Sequence, residues 1–470
     1  MRNTLLAAGL AALLAGCSMG PDYQRPEIDM PQQWGSTVVV ASQVDPYWWR
    51  AYGDPVLSDL VEEALAANSD IALAAARVAE ARALAGFARA DRLPRLDAEA
   101  GAQRARTSDD FTTPSTPNPV NSLRIAGVVS YELDLWGRLA RADEAARADL
   151  LASQAAQDTV RLSVAADVAS GYFNLRALDH QVEIAERTLK ARQDSYDLQR
   201  AQYDNGVVTE LALRQAESEL AATRAQLPNL RQQRAIQRNA LSVLLGRAPR
   251  ALIQQDVARG MAVDVLPVPP VVPDFMPSAI LDRRPDLQQA EQQLVAANAQ
   301  IGVAKAAFYP NIALTGTLGQ QSRELGDLFN AGNGIWSLAS NLTSPIFDFG
   351  RNQSNLEASE ARRQQALISY GQTVRVAFRE VLDAFEQQQG STERLTAIDG
   401  QVDALRRTVE LAEDRYEGGY TSYIEVLDAQ RTLFQAELDQ SEALRDRLQA
   451  SVELYKALGG GWSANAAASR

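Results

Sequence analysis

The stretch VASGYFNLRALDHQVEIAERTLKARQDSYDLQRAQY, residues 168–203, carries apolar side chains at every seventh position. The members of this series are Val168, Leu175, Val182, Leu189, Tyr196 and Tyr203. This spacing keeps one side of a helix apolar and predicts packing against partner helices. The wider segment 138–203 contains no proline and a single glycine, Gly171. It therefore predicts one helix of about 100 Å, which is longer than a compact domain requires and indicates that a distance is spanned.

The chain consists of two similar halves. Residues 136–138 match residues 349–351, and the turn 203–206 matches 416–419, both 213 positions further on. Upstream matches at a spacing of 216 positions are Asp70 with Asp286, Gly86 with Gly302 and Pro94 with Pro310. Because a chance match would not hold its register over so many helical residues, the sequence indicates a duplication.

Each half predicts the same order of elements: a helix, two short strands, a long helix, a glycine turn and a returning helix. The first helices are expected at 55–91 and 276–307 and the returning helices at 209–245 and 422–457. Helices 209–245 and 276–307 are together nearly as long as the first long helix, so we expect them to stack end to end along it. By the same argument, helix 422–457 is expected to stack on helix 55–91.

The four short segments alternate apolar and polar residues. They lie at 94–103, 122–135, 311–320 and 335–347. This period of two is typical of a transmembrane barrel strand, and a half-buried strand of a soluble sandwich is the alternative. Four strands cannot close a barrel, so three chains with twelve strands are the smallest symmetric solution. The predicted fold class is therefore mainly α with a membrane β part of four strands per chain.

The N-terminus has the features of an export signal that ends at a cysteine. Arg2 precedes an apolar run, and Leu14-Ala15-Gly16-Cys17 closes it, which resembles a bacterial lipobox. Cys17, the only cysteine, is the predicted lipidation site, and the acyl chains would anchor the protein in outer membrane lipid. An ordinary signal peptide with an incidental cysteine is the alternative. After the signal, no run approaches the length of a transmembrane helix.

Charge and residue types argue against several functions. The formal net charge of −13 disfavours nucleic acid as a partner. His180 is the only histidine, so a soft-metal site is not expected, and nothing predicts catalysis. We expect no enzyme activity, no bound metal and no cofactor apart from the covalent lipid on Cys17.

The predicted organisation has five parts, two of which are the repeats. They are a signal peptide at 1–16, a lipid-anchored extended segment at 17–54, a first repeat at 55–275, a second repeat at 276–458 and a flexible tail at 459–470.

Several short motifs occur in a fixed order on this duplicated frame. They are Gly20-Pro21-Asp22-Tyr23 with Arg25-Pro26, Trp48-Trp49 with Asp54-Pro55, Arg283-Arg284-Pro285-Asp286, and the two Tyr-x-x-Gly turns. Together they resemble the TolC-like outer membrane factor family, in its lipid-anchored (NodT-type) branch. The resemblance covers nearly the whole mature chain.

This resemblance implies a homotrimer in the outer membrane of a Gram-negative bacterium, with a large periplasmic part. The implied fold is a trimeric 12-stranded transmembrane β-barrel, four strands per chain, continued by a long periplasmic α-helical barrel. It also implies a periplasmic adaptor (membrane fusion protein) and an inner-membrane pump of the resistance-nodulation-division (RND) type as partners. The expected function is a passive exit channel that conducts drugs or other small toxic molecules. The alternatives are an exit duct for type I protein secretion and a non-conducting periplasmic tether.

Glu425 and Asp428 are the main candidates for a gate. They are three residues apart, hence on one face of the helix after the second turn. In the family, paired acids at these positions line the periplasmic mouth, and the resemblance carries this role to both residues. Their counterparts Ala212 and Gln215 are uncharged, as expected if only one hairpin per chain faces the axis. A solvated helix start, where acids favour the helix dipole, is the alternative.

The remaining candidates lie at the two turns. Arg415, Tyr416 and Tyr420 are candidates for contacts that close the mouth, which would open by untwisting of the inner hairpins. Residues expected to meet the adaptor are Gly206, Val207, Thr209, Gly418, Gly419, Thr421 and Ser422. Thr209 and Ser422 are also expected to cap the helices that follow them.

Overall fold

The computed structural model describes residues 19–31, 46–111, 117–269 and 277–460. The predicted signal peptide, Cys17 and nearly all of the predicted tail lie outside these ranges. Where the chain is described, it is mainly helical and carries one antiparallel sheet of four strands.

The helices and strands follow the order that the repeat predicted. In the first half they are α1 (Pro55–Ala67), α2 (Ser69–Ala90), β1 (Arg95–Ala105), β2 (Val120–Leu133), α3 (Arg138–Asp204), α4 (Glu210–Leu244) and the short α5 (Pro249–Gln254). In the second half they are α6 (Ile280–Arg283), α7 (Pro285–Ala306), β3 (Asn311–Ser322), β4 (Gly334–Thr343), α8 (Arg351–Glu417) and α9 (Tyr423–Ala457). Single 3-10 turns lie at Trp48–Tyr52, Asp109–Phe111, Pro277–Ala279, Leu325–Asp327 and Ala331–Asn333. The predicted long helices and strands are confirmed to within a few residues.

The chain forms two compact units, each built from both halves of the repeat. Unit 1 comprises residues 1–27, 77–154 and 289–371 and contains the sheet. Unit 2 comprises residues 28–76, 155–288 and 372–470 and contains both hairpin turns.

The sheet of unit 1 has one apolar and one polar face. Its strand order is β1-β2-β3-β4, all antiparallel. One row across the sheet reads Leu96, Val129, Gly316 and Leu338, whereas a row on the other face reads Asp97, Val128, Thr317 and Ser337. Large apolar side chains remain exposed on the apolar face, with Trp336 at 79% and Leu338 at 80%. Within the sheet, β1 and β4 each pair on one side only.

The motif Gly20-Pro21-Asp22-Tyr23 with Arg25-Pro26 holds the segment after the cysteine against α7. The Glu291 carboxylate is buried and accepts hydrogen bonds from Arg25 Nη2 (2.6 Å) and Tyr23 Oη (3.0 Å). Gly20 lies where a Cβ would fall 2.6 Å from Gly302 Cα. The glycine is therefore required by close backbone approach, and the arginine and tyrosine supply the partners that a buried carboxylate needs.

In unit 2, the core contains an aromatic group at the start of α1. The ring of Trp48 stacks on Tyr455, with centroids 5.2 Å apart. Asp54, buried beside these rings, caps α1 by accepting from Val56 N (2.9 Å) and also accepts the Tyr172 hydroxyl (2.6 Å). The carboxylate thus ties the helix start to the long helix α3.

The predicted helix 55–91 is wrong in one respect, because it breaks at Asn68. This residue takes an extended ψ of 133° and its Oδ1 accepts from Asp70 N (2.8 Å), which caps α2. Its Nδ2 donates to the carbonyl of Leu244 (2.8 Å), at the end of α4. Helix ends leave amides and carbonyls unpaired, and here one side chain satisfies both kinds of group.

The predicted helix 276–307 breaks at the matching position, Arg284, 216 positions after Asn68. Arg284 Nη1 donates to the carbonyl of Ala457 (3.0 Å), the last residue of α9. Arginine cannot cap the next helix as asparagine does. Pro285 instead removes one amide at the start of α7, and Asp286 Oδ1 accepts from Leu287 N (3.0 Å).

These two joints correct the predicted stacking. The end of α4 meets the start of α2, and the end of α9 meets the start of α7, so each returning helix joins a helix of its own repeat. The prediction compared helix lengths, which cannot distinguish the two pairings. None of the described helices is both long and apolar enough to cross a membrane.

The joint between α4 and α2 requires a glycine. Gly246 has a φ of +70°, and a Cβ there would fall 2.2 Å from the carbonyl oxygen of Ala67. Gly206 has nearly the same φ, +73°, but open space around its Cβ position. Gly246→Ala should therefore cost about 1–3 kcal/mol more stability than Gly206→Ala, because overpacking adds to the same backbone strain.

The measurement is the thermal unfolding of both variants in detergent, beside the unchanged protein. Equal melting temperatures for the two variants would contradict the close contact at the joint.

Candidate functional site at the helical hairpin tips

The first turn closes α3 with a left-handed glycine. Gly206 donates its amide to the carbonyl of Tyr203 (2.8 Å), and Val207 donates to that of Gln202 (2.8 Å). Thr209 caps α4, with its Oγ1 accepting from Ala212 N at 3.4 Å. Glycine is needed because its φ is +73°.

The second turn closes α8 in a similar way. Gly419, with a φ of +74°, donates to the carbonyl of Tyr416 (3.0 Å), and Tyr420 donates to that of Arg415 (2.8 Å). Ser422 occupies the N-cap position of α9, but its side chain makes no cap hydrogen bond. The capping explanation of the hydroxyls therefore holds for Thr209 and fails for Ser422.

Both turns present exposed side chains. Val207 at the first turn is 71% exposed and Tyr420 at the second is 81% exposed. Arg415 is also exposed, whereas Thr421 is half-buried.

Glu425 and Asp428 lie on the exposed face of the first two turns of α9. The opposite face of the same turns is buried. It carries Tyr423, Val426, Leu427 and Ala429. Asp428 is not free, since its Oδ1 accepts from Arg431 Nη2 at 2.6 Å. Arg431 was not singled out in the sequence, although its spacing of three residues from Asp428 is the signal of a helical ion pair.

Tyr416 joins the two hairpins of the chain. Its hydroxyl accepts from Gln199 Nε2 on α3 (2.9 Å) and donates to Gln202 Oε1 (3.4 Å). Its ring also lies 5.3 Å from that of Tyr423, which is buried. The sequence singled out Tyr416 but neither Gln199 nor Tyr423. Gln199 lies more than 200 positions before Tyr416, so no local pattern connects the two residues.

An ion pair between a buried arginine and a half-buried glutamate lies near this contact. Arg192 Nη1 donates to Glu219 Oε2 at 2.7 Å, and its guanidinium lies 5.6 Å from the centre of the Phe434 ring. Burial lowers the pKa of Arg192, an effect that the Glu219 carboxylate opposes. Burial also raises the pKa of Tyr423, which is therefore a neutral phenol at physiological pH.

Away from the tips, a cavity of about 350 Å³ lies at the joint of α9 and α7. It is lined by charged groups, with Arg284 held by Asp286 Oδ2 and Glu380 Oε2, both at 2.6 Å. Among the described residues, no group of three or more His, Cys, Asp or Glu side chains is placed to hold a metal ion.

The family model for outer membrane efflux proteins matches residues 60–247 and 276–460. The chain belongs to this family. It is 37% identical over 97% of its length to the cation efflux system protein CusC of Escherichia coli, of which it covers 98%. It is 36% identical over 97% of its length to SilC of Salmonella typhimurium, a probable outer membrane lipoprotein, of which it covers 98%.

A solved structure agrees with this assignment. The open state of the Neisseria gonorrhoeae outer membrane channel MtrE superposes with a TM-score of 0.85 at 32% identity, covering 95% of this chain and 98% of that one. The predicted family, fold class, outer membrane location and efflux channel role are thereby confirmed. The role of the family is transport rather than catalysis. The domain bounds and the roles of the tip residues stay predictions.

The contact of Tyr416 with Gln199 gives a local prediction. Tyr416→Phe leaves the buried Gln199 amide without its partner, which costs about 1–3 kcal/mol. We expect amide hydrogen exchange at residues 196–203 and 412–423 to become roughly tenfold faster. Tyr420→Phe is the control, because this side chain is exposed and removal of its hydroxyl leaves no buried group without a partner. Similar exchange in both variants would contradict the inter-hairpin contact.

Proposed function

We propose that three copies of this outer membrane channel assemble around one axis through their sheets. The support is the sheet itself: β1 and β4 each pair on one side only, and Trp336, Leu338 and Leu318 are exposed on its apolar face. An open strand edge is not tolerated in lipid, so β4 of one chain would pair with β1 of the next. Three chains would then supply twelve strands.

The channel is the passive exit of a tripartite pump, and the energy for transport is supplied by the other components. CusC is named as part of a cation efflux system, which supports partners in the other compartments. A periplasmic adaptor and an inner-membrane pump of the RND type would deliver drugs or other small toxic molecules to the channel. The exposed turns are the surfaces for the adaptor. They carry Gly206, Val207 and Thr209 at the first turn and Gly418, Gly419, Thr421 and Ser422 at the second.

The gate is the pair Glu425 and Asp428, and the observation that carries this role is their shared exposed face on α9. Three copies of that face would form a ring of carboxylates at the mouth, which attracts cations and repels anions. Arg431 reduces the charge of the ring through its ion pair with Asp428. Tyr416 holds the second hairpin to the first, and Arg415 and Tyr420 are exposed where a neighbouring hairpin would lie.

Reconstitution in planar bilayers tests both the channel and its gate. The double variant Glu425→Gln with Asp428→Asn should conduct with a cation preference that falls toward none, because the carboxylate ring is neutralised. The control is Glu210→Gln with Glu217→Gln, which removes two exposed carboxylates from the matching helix of the first hairpin. A cation preference that survives in the first variant, or falls equally in the control, would contradict the gate. A chain that never conducts would contradict the channel.

Cys17 is the lipid anchor in this proposal, supported by the likeness to the lipoprotein SilC. The amide of Met19 donates to the carbonyl of Trp136 at 3.1 Å, which places the chain just after the cysteine beside the end of β2. Acyl chains on Cys17 would therefore enter the membrane next to the sheet.

Radiolabelled palmitate should be incorporated by the natural chain and lost in Cys17→Ser. Ser18→Ala is the control and should keep the label. Labelling of Cys17→Ser would overturn the anchor assignment.

A further inference from the structure

The two hairpins of the chain touch at two separate levels in unit 2. The lower level, the tip cluster, consists of Ala216, Ala412, Tyr423, Val426, Leu427 and Ala429, with Tyr196, Val409 and Tyr416 packed against it. The upper level, the Phe434 cluster, consists of Val182, Ile184, Ala185, Leu227, Leu230, Phe434 and Leu438, with Leu189 packed against it. Each level combines residues of the first hairpin, α3 and α4, with residues of the second hairpin, from α8 and α9 in the tip cluster and from α9 in the Phe434 cluster.

Glu437, beside Phe434 on α9, ties three helices together at the upper level. Its Oε2 accepts from Arg187 Nη2 on α3 at 2.7 Å, and its Oε1 accepts from Arg406 Nη2 on α8 at 3.2 Å. The carboxylate side chain is 10% exposed, whereas that of Arg187 is 62% exposed. A carboxylate so far removed from water needs such partners, and both come from neighbouring helices.

This tie has no equivalent in the first half of the chain. The residue 213 positions before Glu437 is Arg224, which donates to Gln193 within the first hairpin at 3.0 Å. The counterpart of Arg187 is Gly400. The bridge between Glu437 and Arg187 therefore did not arise from the duplication alone. Like Glu425 and Asp428 at the tip, it is a feature in which the two halves differ.

The two levels differ in how strongly they stabilise the contact between the hairpins. Three of the six buried residues of the tip cluster are alanines, which bury little apolar surface. The Phe434 cluster contains four leucine or isoleucine residues and one phenylalanine, and the ionic bridge lies next to it. The first turn of α9 lies about 20 Å further along the helix from Glu437. Loosening of the hairpins therefore starts at the tip cluster.

We propose that Glu437 is a positioning residue that confines opening to the tip. When the tip cluster releases, the bridge from Arg187 to Glu437 and the Phe434 cluster keep the hairpins together above it. The residues of α9 between Leu427 and Glu437 then absorb the change. This role rests on the proposed gate, since it concerns how far the movement of that gate extends.

Hydrogen exchange on the full chain in detergent tests the proposal, with Tyr416→Phe used to loosen the tip. In that variant, exchange should rise at residues 196–203 and 412–423 and stay unchanged at 170–182 and 440–455. In the double variant Tyr416→Phe with Glu437→Gln, the rise should extend to the second pair of segments, by roughly tenfold. Glutamine keeps the shape of the side chain but loses the charge and one of the two acceptor oxygens, so both variants should fold, the double variant with the bridge to one arginine removed.

Matched variants separate the tie from a general loss of charge. Arg187→Gln in the Tyr416→Phe background should act like Glu437→Gln, because it removes the partner on the first hairpin. Glu186→Gln is the control: its carboxylate accepts from Arg231 at 2.6 Å within the first hairpin, one residue from Arg187. It should leave exchange at 170–182 and 440–455 unchanged.

Two results would overturn the proposal. One is a rise of exchange at 170–182 and 440–455 in Tyr416→Phe alone, which would show that nothing stops the movement at Glu437. The other is the absence of any further rise when Glu437→Gln is added. Both are measured without current through the channel, so failure of the tie is distinguishable from failure of the acidic gate in bilayers.

Discussion

Every helix end leaves backbone groups that need hydrogen-bond partners, and the joints between helices in unit 2 depend on how that need is met. The returning helices α4 and α9 end where other helices begin, so carbonyls of one helix face the start of the next. Asn68 and Arg284 reach across these joints to Leu244 and Ala457. Without such partners the carbonyls would be buried unsatisfied, which is costly in a packed interior. Glycine follows at both joints, with a positive φ that turns the chain away.

The duplication gives the two halves the same order of elements, and the proposed gate lies where the two halves differ. Asn68 and Arg284 occupy the same place and reach the same kind of carbonyl with different chemistry. At the tips, uncharged Ala212 and Gln215 correspond to Glu425 and Asp428. A duplicated frame lets one hairpin support the structure while the other acquires charge, because the helix geometry is maintained by apolar positions that both halves keep. The family model for outer membrane efflux proteins accordingly matches this chain twice, once in each half.

The candidate site was only partly visible in the sequence. Glu425 and Asp428 were singled out by their helical spacing, by the comparison of the two halves and by the family resemblance, all of which are read from the sequence. Gln199 could not, since its contact with Tyr416 depends on how two distant hairpins pack. Arg431 and Tyr423 are close in sequence to the predicted residues. Only the structure shows that Arg431 forms an ion pair with Asp428 and that Tyr423 is packed in an apolar cluster. The sequence analysis did not single out Glu437, whose burial between two arginines is visible only in the structure.

By itself the sequence determined the order and type of the elements, the duplication, the two faces of the strands and the outer membrane family. These follow from periodicity, glycine and proline placement and motif order, which act over a few residues or repeat at a constant spacing. Only the tertiary structure decided that helices 55–91 and 276–307 break, and that each returning helix joins its own repeat. The reason is that Asn68 and Arg284 gain their meaning from carbonyls more than 170 positions away, and such contacts leave no mark on local propensity. The long seam of α3 predicted that partner helices exist, and the joints in three dimensions determined which helices continue one another.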